Sequence, residues 1–114
     1  MLSSEEIKQI CELQHKIVVC RVLINKMPMA YTNDNVHQLE KDIQIRAKHD
    51  EYSEKMMELI SKFGSEVVGD TFSNKELLQK PENKFTFEDQ RKATKEVIGK
   101  ELTLEEFLEM YGDK

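Results

Sequence analysis

A six-residue pattern occurs three times in this chain: an apolar residue, Ser or Thr, two free positions, Glu, and a second apolar residue. It reads Leu2-Ser3-Ser4-Glu5-Glu6-Ile7, then Phe72-Ser73-Asn74-Lys75-Glu76-Leu77, then Leu102-Thr103-Leu104-Glu105-Glu106-Phe107. Each copy is a helix start. The hydroxyl caps the amide three residues on, the Glu reaches back to the capping residue's own amide, and the two apolar residues clip together across the first turn. Thr86 with Asp89 makes a fourth, weaker start. Four such starts in 114 residues commit the chain to helices over most of its length. The segments between them differ in length and sequence, so the pattern is punctuation and not a structural repeat.

The fold class expected is all-α in a single domain, residues 1–114. A chain this long has room for one modest core and not for two. The first helix should run from Ser3 to about Met27, because Pro28 marks a boundary. Its seam is Ile10, Leu13, Ile17, Cys20, Ile24 and Met27, alternating at three and four residues. The centre, Ile17 to Ile24, is rich in β-branched residues and on its own also fits a buried strand. Residues 28–34 form a loop, and Asn33 or Asp34 opens a second helix that Gly64 closes after Phe63. The two long helices, about 4–27 and 35–63, form an antiparallel hairpin. Residues 65–73 are a linker, and short helices near 74–80, 87–98 and 104–111 fold back onto the hairpin. Gly99 and Gly112 serve as stops. Leu77, Leu78, Phe85, Phe87, Val97 and Ile98 are the anchors of this thinly apolar half. The last helix carries one stripe of Leu104, Phe107, Leu108 and Tyr111.

The second helix carries an anomaly. Val36, Leu39 and Ile43 share one face, whereas Ile45, Tyr52, Met56, Leu59 and Phe63 lie about half a revolution away at about 100° per residue. No Pro or Gly separates the halves, and the pairs Asp42/Arg46, Glu51/Lys55 and Glu58/Lys62 favour an unbroken helix. One straight helix with two opposed stripes needs two neighbours. The expectation is an oligomer, most simply a homodimer, self-associating through Tyr52, Met56, Leu59 and Phe63 around a twofold axis. Of Met56 and Met57, which point about 100° apart, one should face a partner.

Composition narrows the function classes. Charged residues make up 34% and apolar residues 39%, a balance suited to exposed helices. The net charge of -5, with Lys and Arg scattered among the acids, offers no basic stripe for nucleic acid. The apolar run Ile17–Ile24 contains Arg21 and is far short of the roughly 20 residues a bilayer span needs. Glu5 and Glu6 precede any apolar stretch, the reverse of a secretory start, so a cytoplasmic location is expected. Cys11 and Cys20 point to opposite sides of one helix and match no paired-thiol metal motif. They read as small core residues of a reducing compartment.

Several groups of residues have the types that catalysis uses. His49-Asp50, with His15 upstream and Asp89 or Asp113 downstream, has the residue types of a helical phosphohydrolase metal site, but Lys48 and Glu51 flank the pair where apolar neighbours are needed. Glu51, Glu54 and Glu58 followed by Glu66 and Asp70 have the types of a magnesium clamp, yet a turn at Gly64 keeps the two groups apart. Glu105, Glu106 and Glu109 offer half of such a site with nothing after them to complete it. Cys11 and His15 are one turn apart, but no orienting acid is evident in sequence. The four glycines stand apart and form no phosphate loop. No catalytic residue, metal or cofactor is assigned. The function expected is protein–protein interaction through helical surfaces, as an adaptor, assembly factor or inhibitor. The alternative is a ligand-binding or metal-dependent nucleotide-hydrolysing protein whose site is formed between subunits.

Overall fold

The structure is a computed structural model that describes residues 2–112. Among them it is all-helical, with six α-helices: α1 (Ser4–Asn25), α2 (Leu39–Phe63), α3 (Ser65–Ser73), α4 (Lys75–Leu78), α5 (Phe87–Ile98) and α6 (Leu104–Tyr111). Single 3-10 turns occupy Val36–Gln38 and Pro81–Asn83. The β-rich centre of the first helix is helical, with its branched side chains divided between buried and exposed faces.

The helix starts follow local chemistry. The Glu6 N–H donates to Ser3 Oγ at 3.1 Å while the Ser3 N–H donates to Glu6 Oε1 at 2.8 Å. Thr103 and Glu106 exchange the same pair of bonds, both at 3.1 Å. Thr86 and Asp89 form an equally complete box, so this start is as strong as the others. At the second copy the cap moves by one residue. Ser73 is the last residue of α3, and Asn74 Oδ1 instead accepts from the Leu77 N–H at 3.1 Å. Gly99 closes α5 at φ 83°, a left-handed conformation that side chains disfavour.

Two boundaries differ from the sequence expectation. The second helix begins at Leu39, after a turn and a 3-10 segment, and not near Asn33. The expected linker, 65–73, is the helix α3. It buries Val68 and Thr71 and packs Phe72 on the core, so tertiary burial overrides the helix-weakening Gly69. Gly64 at φ 95° breaks the chain direction between α2 and α3.

The core lies where α1, α2 and α5 meet. α1 touches both of the others and α2 touches α5. Two neighbours explain why α1 buries more than its expected seam. Ile10, Ile17 and Cys20 are buried as the spacing requires, while Leu13, Ile24 and Met27 pack at the margin. Cys11, Val19 and Leu23, from an adjoining row at four-residue spacing, are buried as well.

The two stripes of α2 have different fates. Ile45, Tyr52 and Met56 are buried, and Leu59 and Phe63 pack against the core. The stripe expected to meet a second subunit is therefore covered within the chain, and the need for a partner there lapses. The other stripe is the open one: Val36 is 50% and Ile43 59% exposed. The apparent change of side has a specific cause. Asp42, only 3% exposed, occupies the inward position where an apolar residue was sought, and Tyr31 from the preceding loop donates to its Oδ2 at 2.6 Å. Asp42 takes this hydroxyl where an ion pair to Arg46 was expected. Glu51 does hold Lys55, at 3.6 Å, and also Lys48 at 3.1 Å, whereas no Glu58–Lys62 pair forms among the described residues.

The molecule is elongated, 52 × 27 × 22 Å, and its Cα radius of gyration of 15.9 Å exceeds the ~13 Å of a compact chain this size. Two substitutions test this account of the helices. Ser3→Ala should lower stability by about 1 kcal/mol through loss of the box. Gly69→Ala should raise it by about 0.5–1 kcal/mol, because a Cβ there meets nothing within 4 Å and the backbone is helical. Denaturant unfolding monitored by helical circular dichroism reads both.

Candidate functional site

Two groups of polar residues stand out between the core helices. The first ties the three core helices together. Tyr52 of α2 is 1% exposed, and its hydroxyl donates to Glu96 Oε1 of α5 at 2.8 Å. Lys16 of α1 holds the other oxygen at 2.9 Å. Burial pushes the Glu96 carboxyl up, but the bonds from Lys16 and Tyr52, with Lys16 and Lys48 nearby, more than reverse this and leave it below the usual range. Burial, then the Glu96 bond, push the Tyr52 phenol up. Every polar atom of this cluster is engaged in holding helices together.

The second group lines a cleft of about 280 Å³ between α1, the 3-10 turn at Pro81–Asn83 and α5. Here His15 stacks on Phe85 at 4.5 Å between ring centroids. Cys11 lies on the same wall and Asp89 on the opposite helix, so the fold supplies the acid that was not evident in sequence. Burial acts against an activated thiol in this group. Burial pushes the Cys11 thiol up, and burial pushes the His15 imidazole down against the opposing pull of Asp89 and Glu12. Raising the thiol disfavours the thiolate that nucleophilic catalysis requires, and no hydrogen bond joins Cys11 and His15 among the described residues.

The remaining polar candidates are dispersed. His49 sits 3.7 Å from Asp50 Oδ1, with Asp50 on the outside, and His15 and Asp89 belong to the separate cleft. Asp113 lies outside the described residues. Glu51 is held by two lysines, and among the described residues no three His, Cys, Asp or Glu side chains are grouped to hold a metal ion.

Some large apolar side chains remain outside. Helix α6 is anchored by Phe107, 3% exposed, which meets Phe87 edge-on at 5.3 Å and Tyr111 at 4.9 Å. The Tyr111 and Thr94 hydroxyls lie 2.6 Å apart, and Lys26 Nζ donates to the Gly112 carbonyl at 3.2 Å. Docking in this way splits the stripe expected of α6. Phe107 and Tyr111 turn in, whereas Leu104 and Leu108, on either side of Phe107 in sequence, remain 50% and 53% exposed. Phe87, expected as an anchor, is 53% exposed beside them. Sequence periodicity contained the four residues of this stripe but not their division, which depends on where α5 and α1 meet the helix. Of the two methionines, Met56 is interior and Met57 is 68% exposed.

No family model, curated protein or solved structure matches this chain.

Two measurements bear on these assignments. Because the folded Glu96 carboxyl titrates below its ordinary 4.5, its contribution to stability is complete above that pH and is lost as pH falls through the folded value. Glu96→Gln should therefore flatten the acid limb of the stability profile, and Tyr52→Phe should cost about 1–2 kcal/mol at neutral pH. Cys11 and Cys20 are 2% and 0% exposed, and burial pushes the Cys20 thiol up to about 11. A thiol reagent at pH 7 should label neither until denaturant unfolds the chain.

Proposed function

We propose that this chain is a protein-interaction module, an adaptor, assembly factor or inhibitor, that works by presenting helical surfaces. One observation carries the proposal: Phe87, Leu104 and Leu108 stand half exposed around a buried Phe107, while Tyr52, Glu96 and Lys16 are engaged with one another. Large apolar side chains kept at the surface together are uncommon unless they meet something. In this reading the chain is one helical domain. Its α1 and α2 are the arms of an antiparallel hairpin, supported by Lys16 lying over the Tyr52 ring at 5.7 Å and by the Tyr31–Asp42 bond near the connecting loop. Two buried, unpaired thiols suit a reducing compartment such as the cytoplasm, and no described helix is long and apolar enough to cross a membrane. Self-association belongs to the reading only through faces that remain open, such as Val18 and Val22 on α1, because Tyr52 and Met56 are interior.

The test is crosslinking in native extract with the full chain and with Leu104→Gln/Leu108→Gln, which should stay folded because both side chains point outward. A discrete crosslinked protein that the double variant loses is expected. Divalent metal retained through purification, together with pyrophosphatase or phosphatase turnover, would overturn the interaction reading in favour of a metal-dependent enzyme completed between subunits.

A further inference from the structure

We propose that the outward face of α6, together with Phe87, binds a cationic amphipathic helix of a protein partner, an inference that rests on the interaction reading above. The apolar half of the argument is the exposure of Leu104, Leu108 and Phe87. Leu104 and Leu108 are four residues apart, the spacing that lines up along one side of a helix and receives a partner helix through its own residues at three and four.

The charge around that line selects the partner. From Glu101 to Gly112 the chain has four glutamates and no Lys, Arg or His. Two of the four are already engaged. Glu101 is held by Lys95 at 2.8 Å, with Arg91 also acting on it, and Glu106 closes the Thr103 box. Glu105 and Glu109 follow Leu104 and Leu108 on the helix, are exposed, and take part in no ion pair among the described residues. Glu109 also borders a groove that Lys26, Lys41 and Lys100 line, and an apolar line edged by carboxylates outside any ion pair matches a partner that carries apolar residues flanked by Lys or Arg. The same edge disfavours other occupants. A twofold dimer formed here would set Glu105 and Glu109 against their own copies, in a chain already at net charge -5. Nucleic acid and anionic lipid carry the wrong sign.

Two synthetic amphipathic peptides with an identical leucine face, one with Lys on its polar face and one with Glu, provide the probe. Binding to the full chain is followed by fluorescence anisotropy at low and high salt. The Lys peptide should bind and weaken as salt rises, while the Glu peptide binds at least about tenfold more weakly. Glu105→Lys/Glu109→Lys, a surface change that leaves the core untouched, should invert that preference, and Leu104→Gln/Leu108→Gln should abolish binding of both with helix content unchanged. Equal binding of the two peptides, or a preference that the charge reversal does not move, overturns the cationic partner. If the crosslink in native extract still depends on Leu104 and Leu108, the interaction reading survives that result. Concentration-dependent dimerisation lost in the Leu104/Leu108 variant would assign the face to a second copy and overturn the proposal. Absence of both peptide binding and any crosslink would remove the interaction reading along with it.

Discussion

Tyr52 is the point at which the three long helices become one body. Its ring is buried between α1, α2 and α5, its hydroxyl is fixed to Glu96, and Lys16 closes the triangle from α1. The ammonium groups of Lys16, Lys48 and Lys55 lie 5.7–5.9 Å from the ring centroid, so the side chain is enclosed partly by the stems of charged residues and not by apolar ones alone. A thinly apolar chain can build a core this way because long charged side chains contribute hydrocarbon to it and keep their charges at the boundary. The arrangement also ties α5 to the helices before it, and α5 in turn supports α6 through Phe87 and Thr94.

This use of polar groups for structure bears directly on function. Catalysis needs a side chain whose charge state or hydrogen bonding is left available for a substrate. Here Glu96, Tyr52 and Asp42 are committed to partners within the chain. Burial pushes the Cys11 thiol up, away from the thiolate, and pushes the His15 imidazole down. Around α6, by contrast, Leu104, Leu108 and Phe87 are about half exposed, and Glu105 and Glu109 take part in no ion pair among the described residues. The short helix α6 is docked by Phe107 and Tyr111 on an elongated body.

Much of the fold was legible in the residues themselves. The caps at Ser3, Thr86 and Thr103 and the stop at Gly99 lie where the residue types place them. Expectations failed where a distant neighbour decided the outcome. Residues 65–73 resemble a linker until Val68 and Phe72 find the core. The second helix seems to switch faces because an inward Asp42 interrupts the apolar pattern, and the pattern cannot include Tyr31, eleven residues earlier, which makes that position tolerable. Cys11, His15 and Asp89 share a cleft that their separation in sequence conceals.

The sequence by itself determined that this chain is helical and where most of its helices start and stop, because caps and glycine stops are contacts within about four residues. It also shows that the four glycines form no glycine-rich phosphate loop. Only the tertiary structure decided which side of each helix is interior. That choice depends on how many neighbours a helix has: α1 has two and buries two rows, α2 buries the stripe that had been expected to seek a second subunit, and α6 divides its stripe because Phe107 and Tyr111 suffice to dock it. A helix's own periodicity shows which residues share a side, but the side that meets solvent is set by packing partners far away in the chain.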